Sequence, residues 1–121
     1  MCIRDRFREF DRISQPQPTD IPAPLLEALH TGDIHAVGTH LTNDLQRAAI
    51  NLQPTLQHTL QIGLEHGALG AVVSGSGPTC AFLTASERDA EELSKELALF
   101  SGVRTVRVST GPVAGAQVVH D

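Results

Sequence analysis

The stretch AVVSGSGPTCAFL, residues 71–83, decides how this chain folds. Two short apolar runs of strand type flank SGSGPT, residues 74–79, where the side chains are small. Gly75 and Gly77 can adopt positive φ, which lets successive backbone N–H groups point into one concavity that binds anionic oxygens. We call residues 74–79 the glycine loop and interpret it as a phosphate-binding turn between two strands. A tight hairpin of small residues without a ligand is the alternative interpretation.

Hydroxyl groups add to the binding capacity of the glycine loop. Ser74, Ser76 and Thr79 can donate hydrogen bonds to the same anionic oxygens as the backbone. A dinucleotide fingerprint is excluded because Cys80 stands where its third glycine belongs, and a P-loop is excluded because the nearest downstream lysine is Lys95. The loop therefore predicts phosphate binding of another type.

Composition excludes several classes of function. The chain has 121 residues, a formal net charge of −5 and neither tryptophan nor tyrosine, which argues against nucleic-acid binding. Cys2 and Cys80 form no metal-binding spacing, and the histidines form no zinc motif, so we expect no metal site and free thiols in a reducing compartment. No apolar run reaches the roughly 18 residues of a membrane span. We expect one cytoplasmic domain that binds neither membranes nor nucleic acids.

Periodicity and capping residues predict the other elements. A helix at residues 6–14 places Phe7, Phe10 and Ile13 on one apolar stripe that should dock on another element. Four prolines make residues 15–24 an extended connector. The further predictions are a helix from Leu25 to Thr31 that ends at Gly32, one continuous helix from Asp33 to Leu52, a helix from Pro54 to Gly67, a helix capped by Ser86 and stopped by Gly102, a strand at residues 103–110 and a weaker strand at residues 116–119.

This order of elements predicts an α+β fold in which helices cover one face of a small, mostly antiparallel sheet. The predicted sheet ends in a strand without a partner, and no strand precedes the first helix. Asn43 and Asp44 lie within the predicted long helix beside its buried positions. They are interpreted either as a solvated face with an Asp44–Arg47 pair or as support that orients the glycine loop.

Two segments carry a family resemblance. HLTNDL, residues 40–45, followed by GALGAVVSGSGPTCAF, residues 67–82, resembles the C-terminal half of kinases of the GHMP superfamily that act on 4-diphosphocytidyl-2-C-methyl-D-erythritol. The similarity runs from about Phe7 to Val119, and RTVRVSTGP, residues 104–112, resembles an actinobacterial type. The glycine loop alone would fit several GHMP kinases, homoserine kinases among them.

The resemblance implies a ferredoxin-like C-terminal domain at residues 7–121, preceded by a non-family extension at residues 1–6. It also implies phosphorylation by ATP with Mg²⁺ of a small-molecule alcohol in non-mevalonate isoprenoid biosynthesis. The catalytic residues are expected in an N-terminal kinase domain that this chain lacks and needs, so we expect the chain alone to be inactive. A free-standing anion-binding module is the alternative. The implied site residues are Gly75, Ser76 and Gly77 facing phosphate, Ser74 and Thr79 donating hydroxyls, and Asn43 and Asp44 supporting the loop.

Overall fold

A computed structural model describes residues 2–14 and 20–120, so residues 15–19, half of the predicted proline-rich connector, lie outside the described residues. The described part contains six α-helices and two β-strands. In chain order they are α1 (Ile3–Ile13), α2 (Ala23–Thr31), α3 (Ile34–Thr39), α4 (Gln46–Leu52), α5 (Thr55–Glu65), β1 (Gly70–Val73), β2 (Cys80–Leu83) and α6 (Glu87–Leu99).

The two strands form an antiparallel hairpin whose turn is the glycine loop. Gly70 pairs with Leu83 at one end and Val73 with Cys80 at the other. Helix α5 packs against both strands, and α3 and α4 pack against β1. The buried core joins Val73 to helical side chains and consists of Ala49, Leu56, Leu60 and Val73. The predicted α+β class is confirmed.

Close backbone approaches fix how the helices sit on the hairpin. Gly38 of α3 lies directly against the backbone of Leu69 and Gly70, and no Cβ would fit at Gly38 or Gly70. Gly63 of α5 lies under the Phe82 ring in the same way. These contacts let two helices approach the sheet more closely than larger residues would allow.

The predicted helix boundaries at Gly32, Asp33 and Ser86 are confirmed, whereas α6 ends at Leu99 and not at Gly102 as predicted. The Asp33 carboxylate accepts a hydrogen bond from the Ala36 N–H at 3.0 Å, and the Ser86 hydroxyl accepts one from the Asp89 N–H at 3.1 Å. Gly32 ends α2 with a φ of 71°. These caps satisfy N–H groups that have no partner within the first turn of a helix.

The prediction of one continuous helix from Asp33 to Leu52 is wrong. The structure has α3 and α4 with a break at residues 40–45. At the break, the Asn43 side-chain oxygen accepts a hydrogen bond from the Leu45 N–H at 3.0 Å. Such a local bond offers the backbone an alternative to the helical hydrogen bond, so the helix ends and restarts.

The predicted strands at residues 103–110 and 116–119 do not form. The described sheet has two strands, β1 and β2, so residues 103–110 have no ladder partner in it. This segment lines a groove of about 1020 Å³ together with residues of β2, α5 and α6. Val103 and Val106 are half-buried, whereas Val108 is exposed.

Helix α1 docks on another element, as predicted, and that element is α4. The most buried side chain of α1 is Arg6, which lies outside the predicted apolar stripe. Phe7 is 50% exposed, whereas Arg6 is 0% exposed. The Glu9 carboxylate accepts hydrogen bonds from Arg12 of the same helix at 2.8 Å and from Asn51 of α4 at 3.1 Å, and the second bond ties α1 to α4. These bonds hold the pKa of Glu9 at about 2, because they stabilise its charged form.

Candidate functional site

The glycine loop is a compact turn with two internal hydrogen bonds. The Ser74 N–H donates to the Thr79 carbonyl at 2.8 Å, and the Gly77 N–H donates to the Ser74 carbonyl at 2.9 Å. Gly75 has a φ of 55° and Gly77 a φ of 71°, in the left-handed region that glycine favours. The expectation of positive φ at both glycines is confirmed.

The hydrogen-bond donors that the loop can offer to a ligand differ from the expected set. Because the Gly77 N–H is used inside the turn, that group does not point into the concavity. The N–H groups of Gly75, Ser76 and Thr79 have no partner among the described residues, and neither do the Ser74, Ser76 and Thr79 hydroxyls. The loop therefore presents backbone amides and hydroxyls within one short turn, a donor set that suits anionic oxygens.

Two side-chain amides beside α4 hold the start of the loop. Asn43 Nδ2 donates to the carbonyl oxygens of Val73 and Gly75, each at 2.7 Å. Gln46 Oε1 accepts from the Val73 N–H at 2.8 Å. Asn43 thus contacts the loop as the loop-support hypothesis requires, while its role in function stays a prediction. Asp44 is exposed in the turn before α4, and its role also stays a prediction.

Gln46 was missed by the sequence analysis. No pattern in the chain links this residue to residue 73. The only available signal was its position three residues after Asn43 in the same polar cluster. A polar cluster at a helix start does not show which side chain reaches another element.

Arg6 lies beneath the glycine loop and was also missed. Its Nε and Nη2 atoms are buried and have no hydrogen-bond partner in the described part of the chain. Burial lowers the pKa of this guanidinium. A Cβ added to Gly77 would lie 3.8 Å from Arg6 Nη2 and 3.0 Å from Val73 Cγ1. Arg6 is the last residue of the predicted non-family extension and the first of the helix predicted at residues 6–14, and neither prediction places it in the core.

The described residues do not fit a magnesium site. Nowhere in residues 2–14 and 20–120 do three or more histidine, cysteine, aspartate or glutamate side chains come together. The glycine loop itself carries no carboxylate, and Mg²⁺ is usually held by carboxylates and phosphate oxygens. The described helices are also too short or too polar to cross a membrane.

The fold and the glycine loop occur together in a known family. The model for the C-terminal region of GHMP kinases matches residues 25–101, which include most of α2, all of α3 to α6 and the hairpin. This chain belongs to the GHMP kinase family, and the matched part is the C-terminal region of that family.

Within this family, the chain is similar in sequence to curated proteins that share one name. The chain is 48% identical over 118 residues to a protein of Rhodococcus jostii named 4-diphosphocytidyl-2-C-methyl-D-erythritol kinase, covering 95% of this chain and 38% of the relative. Proteins of the same name from Mycolicibacterium smegmatis and Cutibacterium acnes are 50% and 45% identical, with 95% and 93% of this chain and 35% and 37% of the relatives covered. The chain thus spans little more than a third of the length of these relatives.

Proposed function

We propose that this chain is the C-terminal part of an ATP-dependent kinase that phosphorylates 4-diphosphocytidyl-2-C-methyl-D-erythritol. Its place would be the cytoplasmic, non-mevalonate route to isoprenoid precursors, with residues 7–121 as the C-terminal domain. The observation that carries the proposal is the glycine loop, whose amides and hydroxyls have no partner among the described residues. The chain that contains this loop is 48% identical to a kinase of that name.

In this proposal the glycine loop positions phosphate oxygens and takes no part in proton transfer. Phosphoryl transfer depends mainly on positioning and charge stabilisation, to which fixed amides and hydroxyls contribute without reorganising. The loop carries neither an acid nor a cation of its own. The general base, the ATP phosphate loop and the residues that neutralise phosphate charge are assigned to the N-terminal domain of the complete enzyme.

The activity is tested in a hybrid protein in which this chain replaces the matched 38% of the Rhodococcus jostii relative. We expect the hybrid to transfer phosphate from ATP to 4-diphosphocytidyl-2-C-methyl-D-erythritol, and the chain alone to show no turnover. A hybrid that melts cooperatively yet has no activity, or a chain that turns over substrate by itself, would contradict the proposal.

Two substitutions in the hybrid test the loop. Gly77→Val places a branched side chain at a φ of 71° and against Val73 and Arg6, which should displace the neighbouring amides of the loop. We therefore expect turnover to fall by at least roughly a hundredfold, the scale of losing a positioned oxyanion donor. Ser76→Ala removes one hydroxyl and leaves the backbone amides, so we expect a loss of roughly tenfold. If both variants fold and keep wild-type turnover, the loop is a structural hairpin.

A further inference from the structure

The polar groups of Val73 face away from the hairpin. Ser74 and Thr79 form a hydrogen-bonded pair through the Ser74 N–H. Hydrogen-bonded and non-hydrogen-bonded pairs alternate along an antiparallel ladder, so the pair Val73–Cys80 is of the second kind. The N–H and C=O of Val73 therefore point away from β2, at the place where a third strand would bind them.

Two side chains occupy that place instead of a strand. Gln46 accepts from the Val73 N–H at 2.8 Å, and Asn43 donates to the Val73 carbonyl at 2.7 Å. Both bonds are partly buried, and the second hydrogen of the Asn43 amide reaches Gly75 inside the loop. Val73 itself is 1% exposed, so an unpaired peptide group here would be costly.

We propose that Asn43 and Gln46 act together as an amide clamp that replaces a third strand, and that Gln46 is a positioning residue for the glycine loop. The clamp anchors the last residue of β1 and the second residue of the loop to the start of α4. The amides and hydroxyls of the loop are then already in place when the phosphate is transferred, so they need no reorganisation in the transition state.

The two halves of the clamp have opposite chemical requirements. At residue 43 the amide must donate, because two carbonyl oxygens face Nδ2. At residue 46 the amide must accept, because an N–H faces Oε1. Changing amide to carboxylate therefore removes the needed donor at one position and keeps the needed acceptor at the other, although the positions are only three residues apart.

The experiment on the chain itself measures amide hydrogen exchange by NMR in Asn43→Asp, Gln46→Glu and Gln46→Leu. We expect Val73 exchange to rise at least roughly tenfold in Gln46→Leu and in Asn43→Asp, and to stay within about threefold of wild type in Gln46→Glu. Gln117→Glu, in an exposed segment, is the matched control and should change nothing. Asn43→Ala removes the donor without charge and keeps the test decisive if Asn43→Asp fails to fold.

Hydrogen exchange at the buried amide of Leu60 distinguishes local loss of the clamp from destabilisation of the whole domain. The clamp predicts faster exchange at Val73 with Leu60 unchanged. Equal acceleration at both amides, or a Gln46→Glu variant that behaves like Gln46→Leu, would overturn the clamp. This arm needs no activity, so its result does not depend on the proposed kinase function.

The kinetic arm rests on the proposed function and uses the hybrid kinase. We expect Gln46→Leu to lower kcat at least roughly tenfold with KM for ATP within about threefold, and Gln46→Glu to restore kcat. If Gly77→Val abolishes turnover while Gln46→Leu does not change it, the positioning role is wrong and the kinase function stands. If neither variant changes turnover, the proposed phosphate role of the loop fails and the exchange data alone decide the clamp.

Discussion

Replacing Arg6 with methionine should stabilise this chain. Arg6 is 0% exposed, and its Nε and Nη2 atoms have no partner in the described residues. A buried donor without a partner costs about 1–3 kcal/mol, and well-packed apolar residues often replace buried charges with a gain in stability. Methionine has a similar helix propensity and adapts to irregular space, so α1 should retain its position.

The expected gain in the free energy of unfolding is about 2 kcal/mol. This value assigns about 1 kcal/mol to each of the two nitrogen atoms, Nε and Nη2, that have no described hydrogen-bond partner. It is the lower end of the cost of leaving a buried donor unsatisfied. For a domain of this size the gain corresponds to a rise in Tm of about 8 °C and in the urea midpoint of about 1 M.

The measurement is urea and thermal unfolding followed by far-UV circular dichroism, because the chain has no tryptophan or tyrosine for fluorescence. Arg8→Met is the matched control, since Arg8 is exposed on the same helix and its removal changes the net charge equally. We expect stability to change by less than about 0.5 kcal/mol in the control. An Arg6→Met variant less stable than Arg8→Met would refute the reasoning and show that the guanidinium stabilises the fold.

Three further outcomes follow from single contacts. Gly38→Ala should destabilise the chain by about 1–3 kcal/mol in urea unfolding, because a Cβ there meets the Leu69 backbone, and a variant as stable as the wild type would contradict the close approach. Since the pKa of Glu9 is lowered to about 2 from 4.5, its stabilisation is present above about pH 4.5 and is lost as the pH falls towards 2, and Glu9→Gln should flatten that part of the stability curve. Because burial raises the pKa of the half-buried Cys80, we expect iodoacetamide to modify the exposed Cys2 at least roughly tenfold faster at neutral pH, and equal rates would contradict the burial of Cys80.

Local signals in the sequence predicted the helix boundaries well. Asp33, Ser86 and Gly32 act within three or four residues of their own position, through hydrogen bonds or φ preferences that no distant part of the fold can replace. The same holds for Gly75 and Gly77, whose positive φ values follow from the turn that they form. The position of the candidate site could therefore be predicted from the chain alone.

The support of that site could not be predicted, because it depends on partners far away in the sequence. The apolar positions from Ile34 to Leu52 continue with helical spacing through residue 43, and periodicity predicts one helix there. In the structure the Asn43 amide binds carbonyl groups 30 and 32 residues further along. That tertiary contact, together with the local bond to Leu45, outweighs the helical hydrogen bonds of one turn.

The segment at residues 103–110 has a strand pattern in its sequence but forms no strand in the structure. Its alternation of Val106 and Val108 with polar residues is a property of the sequence, and it indicates a chain suited to a half-buried strand. A strand, however, is defined by ladder hydrogen bonds to a neighbour, and the described sheet contains only β1 and β2. The other edge of the hairpin is closed by side chains, since Asn43 and Gln46 bind Val73 there. Val103 and Val106 are therefore half-buried in a segment that forms no strand. Burial of side chains does not by itself provide hydrogen-bond partners for backbone amides.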